Sequence, residues 1–540
     1  MVYRKNSSLG EIMQKKNLAF WVWVTVSVLA ILNMLYFDLK IIAAPDSLRI
    51  QYIPDDAFYY LGLARNFIQF HTWTFDSGIS KTTGFHILYA YILAAIYGIF
   101  HPSTSAFVIS AIVLCSVTTL LACVYALWVG IRQRNAFIVL ALAFIASSTN
   151  FITNSISGVE WPFVVLIAAL FCGTLYMGFS SRRTPIALFF LGLLGSLARS
   201  DFALLPAAFF IAAIFVWIYT KDRSRLRILA WGLVGDIVGI GILFIHNYSF
   251  SGSWLQSSAI VKLHWAKYLP IAGRLSFNIS LATCLIGGFL VGGLNRILYL
   301  ISLLPLIIFV AYKALKLWRN RGNQKVTIAM EPREIIFLLA AIISWYGYLT
   351  FYMLDGALQM WYTANFVLPD FILLALLGQF LAKKLFQNPD LVLFLLLIPT
   401  FFLYYSSYQK IYPLGPEKSL WPHQQTMLAI GNYLHDQPTD GNIGAWNAGI
   451  IGFYQGGQVI NIDGLVNNDV YPYVLSNTLP SYLDSRKIKY IVDSQSMLDE
   501  SFRIRGGYDN PAFIQSMVPI KVFDPGRLDW KSFTLFRIKK

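Results

Sequence analysis

Two adjacent carboxylates, Asp55 and Asp56, stand at the head of a helical pattern in "PDDAFYYLGLARNF", Pro54 to Phe67, in a chain otherwise dominated by apolar residues. A proline followed by acids at a helix start complements the helix dipole and satisfies free N–H groups. One acid suffices for that. Two carboxylates facing a cavity can instead divide labour, one accepting a proton from a hydroxyl while the other holds a substrate or a metal. Further ionisable residues interrupt apolar context: Glu160 in "SISGVEWPF", Arg199 and Asp201 in "LARSDFALLP", and Lys262 and His264 in "SSAIVKLHW". Charges at or near a bilayer are costly unless they pair or line a wet cavity, so acids and bases converging on one face mark a functional site.

Other candidates have plainer roles beside the chemical one. Arg65 lies further along the Asp55 pattern, where a long cationic side chain snorkels to an interface. Glu160 suits the mouth of a span. Lys81 and His86, in "SGISKTTGFHILY", flank a short apolar segment where lysine anchors to headgroups. The sharper reading is that Lys81, Lys262 and Arg199 neutralise a lipid-linked phosphate. Trp361 and Tyr362 form either an interfacial aromatic pair or a platform for a sugar. No Walker loop, HExxH pair or GxSxG elbow is present, and "GGFLVGG" lacks phosphate-loop spacing.

The elements that must carry these residues are membrane spans. The chain has 540 residues, 57% hydrophobic and 13% charged. Its mean hydropathy of +0.58 is too apolar for one soluble core. Apolar runs of about 17 to 25 residues recur from Leu18 almost to Tyr405. The net charge of +15 falls in short clusters between them, the positive-inside pattern, and no single basic-aromatic patch suits nucleic acid. The four cysteines, Cys115, Cys123, Cys172 and Cys284, lie in or beside apolar segments without metal-ligand spacing.

The basic N-terminus and the run Leu18 to Phe37 predict an uncleaved first span with a cytoplasmic N-terminus, delivering Asp38 to Thr83 to the outer face. The run Gly84 to Phe100 is short and is assigned to the interface. Ser105 to Ile131 and Ala136 to Ile152 then cross, which leaves Arg132 and Arg134 inside and Asn154 to Glu160 outside. Arg182 and Arg183 follow inside, Arg199 to Asp201 outside, Lys221 to Arg227 inside and His246 to Arg274 outside. Leu281 to Gly293 is too short to place. A crossing ending near Lys313, then Ile335 to Met353, Phe366 to Leu381 and Leu391 to Tyr405, brings the total to about 11 transmembrane helices, within a range of about 9 to 13. From Ser406 the chain turns polar and glycine-rich, with strand-like runs "QVINIDG" and "KIKYIVDS". The expected division is a transmembrane catalytic domain at 1–405, its first external loop at 38–104 with interfacial helices, and an extracytoplasmic soluble α/β domain at 406–540.

An acidic pair after one N-terminal span, then "ARNF", "TTGFH", "SGVEWP" and "ARSD", then a C-terminal outer domain, resembles the membrane glycosyltransferases of the GT-C fold. That group includes protein O-mannosyltransferases, the aminoarabinose transferase acting on lipid A, mycobacterial arabinofuranosyltransferases and oligosaccharyltransferases. The resemblance implies a polytopic α-helical membrane protein of GT-C type in a bacterial-type plasma membrane. It implies transfer of a sugar from a polyprenyl-phosphate donor to an acceptor hydroxyl of an envelope glycan, lipid or protein on the extracytoplasmic face, with inversion. Asp55 would be the base, Asp56 its support and Glu160 the second-loop acid. A divalent cation, Mg2+ or Mn2+, would fall to Asp56 and Glu160 if one is used. Ile87 stands where related first loops often carry proline, and Trp361 where similar loops carry arginine. A transporter or flippase would place charges within spans, and a non-catalytic assembly protein would leave the first-loop acids dispensable.

Overall fold

A computed structural model describes residues 6–178, 182–221, 223–283, 331–380, 382, 389–437, 439–524 and 531–539. Eight of its helices are long and apolar enough to cross a bilayer, and three shorter apolar ones, Ile87–Phe100, Ala136–Ala146 and Thr184–Ala198, accompany them. Length alone explains the division: at 1.5 Å per residue, about 20 apolar residues match a hydrocarbon core of about 30 Å. The run predicted between Leu281 and Gly293 leaves the described residues beyond Thr283, and the crossing expected to end near Lys313 lies outside them.

Several boundaries differ from the sequence reading: the last span runs Pro389–Ile411, past the expected division at Ser406, and His246 lies within the helix Ser224–Ser251 rather than in a loop. The first helix is Asn6–Ile42, not a run ending at Phe37. Asp38 is therefore part of that helix and fully buried, where its carboxylate accepts hydrogen bonds from Ser116 Oγ at 2.5 Å and Ser155 Oγ at 2.6 Å. Those hydroxyls, from distant segments, make burial of an acid tolerable. The span predicted from Ala136 to Ile152 is broken: Ala136–Ala146 ends and Thr149–Asn154 begins, with the Ser148 side chain accepting from Phe151 N to cap the new helix.

The C-terminal region folds around a five-stranded sheet of order β2-β1-β3-β5-β4. Its strands are β1 (Asn442–Ala445), β2 (Val459–Asn461), β3 (Ile488–Ser494), β4 (Met517–Phe523) and β5 (Phe533–Ile538). β1 pairs in parallel with β2 and β3, while β5 pairs antiparallel with β3 and β4. Ligands of open α/β sheets bind beyond the carboxyl ends of parallel strands. Here those ends deliver Trp446 and Asn447 after β1, Asp463 after β2, and Asp493 within β3 near its end.

The sheet region does not hang from the bundle by a linker. Ile450, Ile451, Phe453 and Val459 belong to the same buried apolar cluster as Phe37, Phe58 and Leu142 of the helical part. That contact centres on the helix Asp55–Phe70, whose Phe58 ring lies 5.7 Å from Phe453 and 6.0 Å from Tyr454.

Candidate active site

The helix Asp55–Phe70 begins after Pro54, whose φ of −63° and ψ of 151° are extended and which offers no side-chain cap. Acids in the first turn face the exposed N–H groups and the positive end of the dipole. Successive helical residues diverge by about 100°, so the two carboxylates acquire different neighbours. Asp55 Oδ1 accepts from Ile450 N at 2.7 Å and Oδ2 from Gly449 N at 3.2 Å, both in the segment after β1. Tyr59, one turn on, accepts from Ala448 N at 2.9 Å and donates to Trp446 O at 3.3 Å. Asp56 has no such amide contacts among the described residues and faces a polar chamber.

That chamber has a volume of about 70 Å³ and is lined by Asp56, His86, Glu160, Arg199, Lys262 and Tyr362, among others. Its floor is a closed ionic network. Glu160 Oε1 accepts from Arg199 Nη1 at 2.6 Å and lies 3.6 Å from His86 Nε2. Its Oε2 accepts from Tyr60 OH at 2.9 Å. Arg199 Nε reaches both oxygens of Asp201, at 2.8 and 3.0 Å, and Asp201 is held in turn by Tyr352 OH at 2.8 Å. Arg199 thus has its charge matched by two carboxylates. Lys262 differs: its Nζ donates to Tyr362 OH and lies 4.8 Å from the centre of the Tyr362 ring, with no carboxylate at salt-bridge distance among the described residues. Burial alone would lower its pKa, yet Tyr362, Asp355 and Asp56 outweigh that and hold the ammonium above its ordinary value.

A second, larger cavity of about 690 Å³ lies between the Asp55 helix and the sheet. Asp55 opens only onto this one, whereas Asp56, Tyr59, Lys262, Trp361 and Leu465 line both. Asp56 and Lys262 therefore stand where the chambers meet. Indole rings of Trp265, Trp421 and Trp446 and the carboxylate of Asp463 line the larger chamber. Burial pushes the Asp55 carboxyl up to about 8, against the Ile450 amide that draws it down. Burial also raises Asp56 to about 6, opposed by the Lys262 charge, and Asp463 to about 7. His86 is lowered by burial.

The structure brings Asp55, Asp56, His86, Glu160, Arg199, Lys262, Trp361 and Tyr362 together around these two chambers, with Asp201 directly behind Arg199. Trp361 and Tyr362 are buried at 6% and 8% exposure, so they are not a belt facing lipid. Three candidates lie elsewhere. Arg65 stacks on Phe453 at 4.8 Å and donates to its carbonyl at 3.2 Å, beside a different pocket. The Lys81 side chain is exposed, and its carbonyl accepts from Asn468 N at 2.9 Å. His264 packs against Tyr268 at 5.1 Å and lines neither chamber. Helical periodicity separates it from Lys262, two residues earlier on the same helix. The sequence reading missed Tyr59, Tyr60, Asn447, Gly449, Asp463 and Asp493. The signal for three of these, Asn447, Gly449 and Asp463, was "WNAG" and "NIDG", each closing a strand-like run with small or polar residues.

Among the described residues no three or more His, Cys, Asp or Glu side chains gather as a metal-holding group. Both Glu160 oxygens are already engaged by Arg199 and Tyr60. Asp56 and Glu160, the donors expected for Mg2+ or Mn2+, both line the small chamber, and the chemistry below is derived for the side chains alone.

Residues 417–535 match a family described as a domain of unknown function, DUF8728. No curated protein matches the chain in sequence. Solved structures do resemble it. ArnT from Cupriavidus metallidurans bound to undecaprenyl phosphate gives a TM-score of 0.54 at 13% identity, over 94% of this chain and 97% of that one. The Archaeoglobus fulgidus oligosaccharyltransferase tethered with an acceptor peptide containing the NVT sequon gives 0.53 at 11% identity, over 96% of this chain and 74% of that one. The chain has the GT-C fold. The apo state of the same ArnT superposes equally along the length, with a TM-score of 0.52 at 12% identity over 98% of both chains. A GT-C fold with eight apolar helices of spanning length is that of an integral membrane protein.

Proposed function

We propose that this GT-C-fold protein is an integral membrane glycosyltransferase that moves a sugar from a polyprenyl-phosphate carrier to an acceptor hydroxyl, with inversion. The observation that carries this reading is the junction itself: a chamber whose lysine has no carboxylate at salt-bridge distance among the described residues meets a larger one bordered by two adjacent carboxylates. Undecaprenyl phosphate bound to a similarly folded ArnT supports a lipid-phosphate donor. An acceptor peptide on a similarly folded oligosaccharyltransferase supports a separate acceptor.

The donor phosphate takes the small chamber, beside Lys262, with its polyprenyl tail in lipid. The acceptor takes the large chamber. Asp55 Oδ accepts the acceptor hydroxyl proton as its oxygen bonds to the anomeric carbon. The bond from that carbon to the phosphate oxygen breaks on the opposite face, and the lipid phosphate leaves with the electron pair. Lys262 stabilises the charge gathering there. A carboxyl raised to about 8 is a stronger base, once ionised, than an ordinary aspartate, which suits a weakly acidic alcohol. Asp56, ionised at neutral pH and lying between Lys262 and the acceptor, orients the sugar at the junction. Glu160, Arg199 and Asp201 hold the chamber floor. Residues 1–405 form the catalytic membrane part and 406–540 the α/β domain, on the extracytoplasmic side of a bacterial-type plasma membrane, with a glycan, lipid or protein as acceptor.

The test is incubation of the purified, reconstituted protein with a radiolabelled polyprenyl-phosphate sugar and envelope extract. Release of polyprenyl phosphate with label appearing in acceptor is expected. Substituting Lys262→Met should weaken donor binding by about 10- to 100-fold, the value of a charge-assisted contact to phosphate. Intact donor after prolonged incubation with the unaltered protein would refute the reading.

A further inference from the structure

We propose that the segment Trp446–Ile450 of the C-terminal region, a bend leading into the helix Gly449–Gln455, is a positioning device for Asp55, its backbone amides aiming the carboxylate and its own shape fixed by the Asn447–Asp493 pair. This rests on the reading of Asp55 as base in the preceding section, and it gives the sheet region a part in the chemistry beyond covering the site.

The contacts form a continuous chain. Asp493, in β3, accepts from Asn447 N at 2.7 Å with one oxygen and from Asn447 Nδ2 at 2.9 Å with the other. A bidentate grip of this kind fixes the turn leaving β1. The next residues then present N–H groups in sequence: Ala448 to Tyr59 OH, and Gly449 and Ile450 to the two oxygens of Asp55. Each Asp55 oxygen keeps a further lone pair, and the carboxylate borders the large chamber. Two donors fixed on a rigid turn set the direction of those lone pairs, which is what a base needs.

Gly449 is required by this approach. A Cβ there would collide with the Asp55 carbonyl oxygen and lie 2.7 Å from Asp55 Cγ. That is closer than real side chains tolerate, so the carboxylate or the turn must move. The groups facing Asp55 are Asp56 beside it, Asp493 from β3, and Tyr59 on its own helix, which itself faces Asp463. Both carboxylates facing Asp55, Asp56 and Asp493, disfavour a second negative charge, so the amides are the contacts that favour ionised Asp55.

Two substitutions read the device. Gly449→Ala should reduce turnover by about 10²-fold, the cost of a misplacement on the ångström scale, while binding of polyprenyl phosphate stays at the unaltered value. Asn447→Ala is milder and leaves every Asp55 contact sterically possible. Loosening the turn weakens N–H bonds that favour the ionised carboxyl, so the acid limb of the pH–rate profile should move upward by about one pH unit. The same displacement should appear without turnover in an infrared pH titration of the carboxyl C=O band that disappears in Asp55→Asn. A protein lacking transferase activity but showing the infrared displacement would refute the function and retain the positioning. Folded variants with unaltered infrared midpoint and acid limb, or with donor binding lost in proportion to turnover, would overturn the positioning.

Discussion

Asp55 and Asp56 are neighbours in sequence and opposites in environment. One is gripped by amides of the sheet region and the other opens on the chamber of Lys262. Burial leaves them at about 8 and about 6 respectively, and this separates their roles by experiment. A base must be ionised in the free enzyme, so kcat/KM should rise with unit slope as pH increases and level off near 8. A plateau reached near 6 would transfer the role to Asp56. Glu160 behaves differently. With both oxygens engaged in a buried network, Glu160→Gln leaves Arg199 matched only by Asp201. Removing one partner of a buried ion pair costs about 3–5 kcal/mol, so the thermal midpoint should fall by several degrees. An unchanged midpoint with reduced transfer would make Glu160 a direct participant instead. Acids and cations at this site were legible in the sequence because charge in apolar context is expensive and therefore conspicuous. Which of them would meet was less so: Lys81, Arg65 and His264 carry the same signal, and only the fold separates them from Lys262.

At the scale of elements, the segment Thr82–Phe85 is clamped against the loop that follows β2. Thr83 N donates to Asn468 Oδ1 at 2.9 Å, and Ser257 Oγ donates to Leu465 O at 3.1 Å. Gly84 lies so close to Leu465 that an added Cβ would overlap its carbonyl oxygen and stand 2.8 Å from its carbonyl carbon. Leu465 lines both chambers, so Gly84→Ala should force the junction open and lower the affinity for donor. Direct binding of polyprenyl phosphate would measure it, and affinity equal to the unaltered protein would show that the loop yields freely. The spans were readable because bilayer thickness fixes their length. The extension of the first helix past Asp38 was not, since its hydroxyl partners come from Ser116 and Ser155, positions that no local pattern links to it. "TTGFH" was recognisable as a motif, but its contact with Asn468 spans 385 residues and has no period to reveal it.

For the whole molecule, the α/β region expected after Ser406 shares a core with the helical part. Phe58 and Phe75 of the helical part pack in one cluster with Ile450, Ile451 and Phe453, and the polar grip on Asp55 and Tyr59 crosses the same boundary. Truncation after Ile411, the end of the helix Pro389–Ile411, would uncover these aromatic rings, each worth about 1.5–3 kcal/mol of burial, and should give a protein that aggregates in detergent. A monodisperse truncated chain would show that the two parts are independent. The change of texture near Ser406 was visible as a loss of apolar runs and a gain of glycine and strand patterns. That the new region reaches back to the acids of the first loop was not, because pairing between remote segments leaves no trace in local composition. The central claim is that Asp55 takes the acceptor proton during sugar transfer. It is tested most directly by the single-turnover rate of Asp55→Asn with donor saturating. We predict a fall of about 10²- to 10⁴-fold, the usual contribution of a general base, with donor still bound at the unaltered affinity. A folded Asp55→Asn protein that transfers sugar at the full rate would contradict it.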